Sequence, residues 1–172
     1  MTGVNFLDKL LEEQIGVLLL ERGWRLALAE SCTGGLVGHR VTNIPGSSDY
    51  YLGSVTAYAY EAKVRLLNVR WSTLEKYGAV SREVVLEMAN GVRAALGAEV
   101  GMSVSGIAGP GGGTPDKPVG LVWIGLTTVD FQQAWRFVWD GDRIKNKELS
   151  AEATLQLLVD YLKGNFPTYE TD

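Results

Sequence analysis

The 172-residue chain is poor in several residue types, and each shortage excludes something. It has one cysteine, Cys32, which rules out an intrachain disulfide framework and a multi-cysteine zinc site. It has one histidine, His39, which argues against an imidazole-rich metal centre. Five prolines are too few for a collagen-like or proline-rich disordered chain. No apolar run approaches the roughly 18 residues that span a membrane. There is no basic block, and Lys+Arg 16 against Asp+Glu 20 gives a formal charge of -4. Electrostatics therefore favours neither a nucleic-acid partner nor a membrane surface. Asp8, Lys9, Glu12 and Glu13 near the start read against a signal peptide, so the expected location is the cytoplasm.

Glycine is in excess. It accounts for 21 of 172 residues, about 12% against the roughly 7% of average usage. Hydrophobic residues at 46% and charged residues at 21% are ordinary globular values, and the length fits a single domain over residues 1–172. The glycine surplus therefore needs a local explanation.

Apolar periodicity places helices over 5–22, from Thr33 to Val41, from about Tyr60 to Leu67, over 82–96 and over 142–163. Gly23 and Gly97 follow helix ends, and Ser81 and Asp142 stand where N-caps belong. Ser72 and Glu75 are spaced as a capping box opening a further short helix. Ile44–Ser48 reads as a turn. Strands are expected over 24–29, 51–59, 99–107, 119–129 and 131–139. In the last, Phe131, Trp135, Phe137 and Trp139 share one face, which suggests a half-exposed antiparallel or edge strand. Such an aromatic stripe is either core or a subunit contact, so a homo-oligomer is expected. Helices and strands alternate early and three strands follow closely later. The fold class is thus α/β, a three-layer α/β/α domain on a mixed sheet. The tail from Asn165 to Asp172 reads as loose.

Two segments hold much of the unexplained glycine. Glu30-Ser31-Cys32-Thr33-Gly34-Gly35 lies at a strand-to-helix junction, where helix amides are unpaired and an anion can approach glycine backbone closely. The alternative is a capped helix with a tight turn. Ser105-Gly106-Ile107-Ala108-Gly109-Pro110-Gly111-Gly112-Gly113-Thr114 carries five glycines whose amides could cradle an oxyanion or a phosphate, or simply form a hairpin loop. Neither a P-loop nor G-x-G-x-x-G is present, so neither an ATPase nor a dinucleotide oxidoreductase is supported. Tyr58, Glu61 and Lys63 form a third candidate. Lys63 could act as a base if burial lowers its pKa, although on its own it reads as a surface lysine on a helix. Arg143 could bind an anion at a helix start or make a surface ion pair. Cys32 near a helix N-terminus would favour thiolate. His39, inside the helix, is badly placed to serve Ser31 or Cys32.

Taken together, AESCTGG (29–35), IPGSS (44–48), YEAK (60–63) with Tyr58 before it, YGAVS (77–81), SGIAGPGGGTPDKPVG (105–120) and GDR (141–143) resemble the CinA C-terminal domain family. The resemblance runs from the first helix to about Leu162 and is to the stand-alone nicotinamide-nucleotide amidohydrolase type. It implies hydrolysis of the carboxamide of nicotinamide mononucleotide to nicotinate mononucleotide and ammonia, within pyridine-nucleotide recycling, with no metal or organic cofactor. It also implies Ser31 as nucleophile, Lys63 as its base and Tyr58 assisting. Thr33, Gly34, Gly35, Ser105, Gly106, Gly109, Gly111, Gly112 and Arg143 would then hold the substrate. The family usually reads T-Y-S-N-E-A-K where this chain has Ala57 to Lys63. Small polar side chains are lost at Ala57 and Ala59, and Tyr60 replaces an amide. The competing expectation is a nucleotide-binding or protein-interaction module of the competence/damage-inducible type, without catalysis.

Overall fold

A computed structural model describes residues 10–165. The first helical residues expected, 5–9, and the tail after Asn165 lie outside that range. The chain runs α1 (Leu11–Arg22), β1 (Leu26–Glu30), α2 (Leu36–Thr42), β2 (Tyr51–Thr56), α3 (Tyr60–Leu67), α4 (Trp71–Tyr77), α5 (Arg82–Leu96), β3 (Val100–Gly106), β4 (Leu121–Thr127), β5 (Gln132–Val138) and α6 (Arg143–Leu162). A 3-10 turn, Ser47–Asp49, closes the segment expected to turn. None of the described helices is long and apolar enough to cross a membrane.

The five strands form one mixed sheet in the order β2-β1-β3-β4-β5. β1 is parallel to both β2 and β3, whereas β4 runs antiparallel to β3, and β5 antiparallel to β4. Central strands buried on both faces read as continuous apolar runs, and β1, LALAE, is buried at every position. Leu26, Leu28, Val100, Met102, Val104, Ile124 and Trp135 face α1, α2 and α6, in a core completed by Ile15, Val37, Leu155 and Leu158. Ala27 and Ala29 face the other way, toward Leu67, Leu74, Val84, Met88 and Val92 of α3, α4 and α5. Helices thus cover both faces, as a three-layer arrangement requires. The aromatic stripe of β5 belongs to the first core, where Trp135 is buried and Phe131, Phe137 and Trp139 pack against it.

Local caps explain most boundaries. Ser81 Oγ accepts the Val84 N–H at the start of α5, and Asp142 Oδ1 accepts the Lys145 N–H at the start of α6. Gly23 and Gly97 take left-handed conformations after α1 and α5. Several boundaries differ from the sequence reading, among them the end of β2, which stops at Thr56 rather than 59, and two helix starts have a clear cause. α2 begins at Leu36 rather than Thr33, because residues 31–35 form a turn. Ser72 lies inside α4, so there is no Ser72–Glu75 capping box. Glu87 of α5 supplies the cap instead, its carboxylate accepting from the Arg70 N–H at 2.8 Å and the Thr73 hydroxyl at 2.8 Å.

The topology concentrates loops at one rim. The C-terminal ends of parallel β1, β2 and β3 lie together, and β4 starts beside the end of β3 (Gly106 pairs with Val122). β5 ends beside the start of β4 (Leu121 pairs with Val138), so the lead into α6 also emerges there. β1 leads through α2 to β2 on one side, with β3 on its other side, and the ends of strands at such a switch point are where α/β sheets hold ligands.

α3 and α5 touch through Gly91. A Cβ there would lie 1.8 Å from the Leu67 carbonyl oxygen. Gly91→Ala must therefore push α3 from α5, and we expect a loss of about 1–3 kcal/mol in urea unfolding, with the overpacking of a close-packed interface as the cause.

Candidate active site

β1 ends with Glu30 and delivers Ser31 to the rim. The Ser31 N–H donates to Val104 O at 2.9 Å, and the Ala57 N–H donates to Glu30 O at 2.9 Å, so the backbone around Ser31 is fixed on both sides. The Glu30 side chain is buried and turns toward α2. Its Oε2 accepts from the Thr33 hydroxyl at 2.7 Å, the Gly35 N–H at 2.9 Å and the Val37 N–H at 3.1 Å. Its Oε1 accepts from the Gly38 N–H at 2.8 Å. The anion-binding end of α2 is thus filled by the protein's own carboxylate. Gly35 at φ 99° is a backbone position that favours glycine.

Lys63 comes from the first turn of α3, on the same face as Leu67, and is fully buried. Its Nζ lies 2.9 Å from Ser31 Oγ, 2.7 Å from Ala57 O and 3.3 Å from Tyr58 O. Burial lowers its pKa to about 8, against a weaker opposing influence of Cys32. With no carboxylate among these partners, the ammonium form is not held by a salt bridge. When Lys63 is neutral, the two carbonyls can occupy its two N–H groups, which leaves its lone pair for the Ser31 hydroxyl. That is the arrangement a general base needs.

A cleft of about 200 Å³ opens over this pair, lined by Ser31, Cys32, Tyr58, Lys63, Ala79, Val80, Ser105, Gly106, Ala108 and Arg143. Arg143, just inside α6, donates from Nη1 to Gly109 O at 2.8 Å and from Nη2 to Tyr58 Oη at 3.0 Å. Three separate segments of the rim therefore meet at one guanidinium.

The residues singled out in the sequence divide into two groups. Ser31, Lys63, Tyr58, Ser105, Gly106 and Arg143 line the cleft, and Gly109 reaches it through its carbonyl. The reading of Lys63 as a surface residue is overturned by its burial. Tyr58 touches Lys63 through its carbonyl, and its phenol faces Arg143. Thr33, Gly34 and Gly35 do not present free donors. Glu30 takes the Thr33 hydroxyl and the Gly35 N–H, and the Gly34 N–H closes the turn on Ser31 O at 3.1 Å. Gly111 and Gly112 are exposed in the glycine-rich loop and do not line the cleft. Ser105 is buried, and its hydroxyl donates to Ala79 O at 2.8 Å. The Cys32 thiol is buried and pushed up to about 12, first by burial and also by the charge of Glu30, so the environment opposes a thiolate. His39 is exposed on α2.

Sequence reasoning missed Glu30 and Asn146. The Asn146 side chain is buried, and its Nδ2 donates to Ala108 O at 3.1 Å and Gly141 O at 2.9 Å, while its Oδ1 accepts the Gly141 N–H at 3.0 Å. It ties the loop after β3 to the start of α6. A signal for each is present in the chain. Glu30 is a charged residue closing a wholly apolar strand, and Asn146, Ser150 and Thr154 repeat every fourth residue on a buried helix face.

The model of the CinA C-terminal domain matches residues 8–162, and the chain belongs to this family. It is 53% identical over 149 residues to a CinA-like protein of Salinibacter ruber, covering 87% of this chain and 36% of that protein. It superposes with a TM-score of 0.86 on the crystal structure of competence damage-inducible protein A (ComA) from Klebsiella pneumoniae, at 34% identity, covering 89% of this chain and 95% of that one. A CinA superfamily protein from Escherichia coli gives a TM-score of 0.84 at 28% identity, covering 93% and 94% of the two chains. The chain spans just over a third of the length of the curated relatives it matches, and nearly the whole length of these solved chains.

Replacing Glu30 by Gln sets an amide NH₂ against backbone N–H groups at the start of α2. We expect Glu30→Gln to lose about 2 kcal/mol or more in denaturant unfolding, because buried donors are left unpaired.

Proposed function

We propose that this member of the CinA C-terminal domain family hydrolyses the carboxamide of nicotinamide mononucleotide, giving nicotinate mononucleotide and ammonia. The observation that carries the proposal is the 2.9 Å approach of a buried, pKa-lowered Lys63 to Ser31 Oγ at the base of the cleft. The family includes nicotinamide mononucleotide amidohydrolases, which supports this choice of substrate.

Neutral Lys63 takes the Ser31 proton as Oγ attacks the carboxamide carbon. The tetrahedral oxyanion needs N–H donors, a task assigned here to the Cys32 N–H next to Ser31 and to the end of β3 at Gly106. The Lys63 ammonium then gives its proton to the departing nitrogen, and ammonia leaves behind an ester on Ser31. Water, deprotonated by Lys63, attacks that ester, and Ser31 recovers its proton as nicotinate mononucleotide departs. A lysine thus does the work that histidine does in a Ser-His-Asp triad. Because Glu30 already fills the end of α2, the substrate phosphate would lie toward Arg143 instead. Association with further copies of the chain is part of the same reading, since among the described residues β2 and β5 each leave a sheet edge unpaired.

The test is ammonia release from nicotinamide mononucleotide by the purified protein without added metal. Ser31→Ala and Lys63→Ala should each lower kcat/KM by roughly a thousandfold or more. Full activity in either variant sinks the mechanism, and binding without turnover by the unaltered protein favours the non-catalytic module instead.

The same pair sets a pH dependence. The neutral lysine is the active form, and with a pKa of about 8 only about a tenth of it is neutral at pH 7. kcat/KM should rise with pH and level off above about 8. A rate that is flat from pH 6 to 9 would remove Lys63 as the base.

A further inference from the structure

One wall of the cleft is not part of any strand or long helix. Ala79 and Val80, which line it, sit in the short connection between α4 and α5. Such a connection has little stiffness of its own, yet it is held by side chains from three other parts of the chain. Tyr60 Oη, from the first turn of α3, accepts the Ala79 N–H at 3.2 Å. Ser105, at the end of β3, donates to Ala79 O at 2.8 Å. Lys117, from the far end of the glycine-rich loop, donates from Nζ to Val80 O at 2.9 Å and to Tyr77 O.

Lys117 reaches across some forty positions of sequence to do this, and its charge meets carbonyls rather than a carboxylate at these contacts. A turn sets its direction, in which the Thr114 N–H donates to Lys117 O at 2.8 Å and the Lys117 N–H donates to Thr114 O at 3.1 Å. Gly111 and Gly112 do not line the cleft, so a direct cradle for substrate does not account for this part of the loop.

We infer that Lys117 is a positioning residue, a latch by which the glycine-rich loop fixes the 77–81 connection as the outer wall of the substrate cleft. Tyr60, where the family usually has an amide, is a second tether on the same wall. The latch does not touch the Ser31–Lys63 pair, so its effect falls on how the nucleotide is held. Substrate binding thereby depends on a loop most of whose glycines never reach the ligand.

Two readouts test this, and only the second rests on the amidase reading. Amide hydrogen exchange of the full chain should show the Ala79 N–H exchanging at least tenfold faster in Lys117→Met than in the unaltered protein, while amides of β1 and β3 keep their protection. Steady-state deamidation of nicotinamide mononucleotide should show KM rising at least fivefold with kcat within about twofold. Lys117→Arg, which can still donate to both carbonyls, should recover most of both. Unchanged exchange at Ala79 overturns the latch whatever the activity. A kcat that falls with KM unchanged places the effect on the catalytic pair and overturns it too. Tyr60→Phe removes the other tether without touching the loop, and should move Ala79 exchange in the same direction. If Lys117→Met does not fold, the decision passes to Lys117→Gln and Tyr60→Phe, and unchanged Ala79 exchange in both overturns the inference. If the unaltered protein releases no ammonia, the amidase reading fails and the exchange measurement alone decides the latch.

Discussion

The site depends on an amine kept out of water. Lys63 lies under the sheet rim with two backbone carbonyls and one hydroxyl as its polar partners, and burial lowers its pKa to about 8. A shift of that size from 10.5 corresponds to roughly 3 kcal/mol against the charged form. The sign is clear. Between about 8 and 10.5 the unfolded chain binds the proton more readily than the folded one. The cost to folding is therefore present in full below about 8 and disappears as pH rises toward 10.5. The Ala57 and Tyr58 carbonyls and the Ser31 hydroxyl offset part of this cost by hydrogen-bonding the amine. Two of these partners are main-chain carbonyls, so their positions are set by the path from β2 into α3 rather than by side-chain choice.

Glu30 plays the complementary role on the other side of Ser31. Its buried charge is accepted because four donors converge on it, three of them at the start of α2. Those bonds hold the turn 31–35 in one shape and so aim the Ser31 hydroxyl. One buried carboxylate orders the loop that carries Ser31, one buried amine meets its hydroxyl, and no ion pair joins the two. This separation keeps Lys63 free to lose its proton, since a carboxylate within contact would hold it protonated.

Much of the fold is legible in the chain because its signals are local. Ser81, Gly97, Asp142 and Gly23 each mark a helix end with a side chain or a backbone conformation that acts within a few residues, and each stands where it was expected. The errors occur where a partner comes from elsewhere. α2 starts late because the Glu30 carboxylate takes the amides that a helix from Thr33 would otherwise order. The cap of α4 comes from Glu87, which no pattern around Ser72 contains. For the site, motif resemblance singled out Ser31 and Lys63, but the residues alone made Lys63 a surface group. Its burial shows only when its face is shared with Leu67 four residues on. Asn146 was missed because an amide inside a helix says nothing about the two loops it joins.

The convergence of three loops on one rim also bears on the order of events as the chain folds. Ser31 and Lys63 are separated by 32 positions, but the Arg143 bond to Tyr58 closes 85 and the Asn146 bond to Ala108 closes 38. Contacts of such separation lose loop entropy before they gain energy, as does the pairing of β1 with β3 across 74 positions from Leu26 to Val100. The cleft is complete only when α6 docks, because Arg143 of that helix lines it. A chain still emerging from synthesis, with α6 not yet released, lacks both the guanidinium that joins the rim and the helix that covers one face of the sheet. Completeness of the cleft is in this way a report on α6.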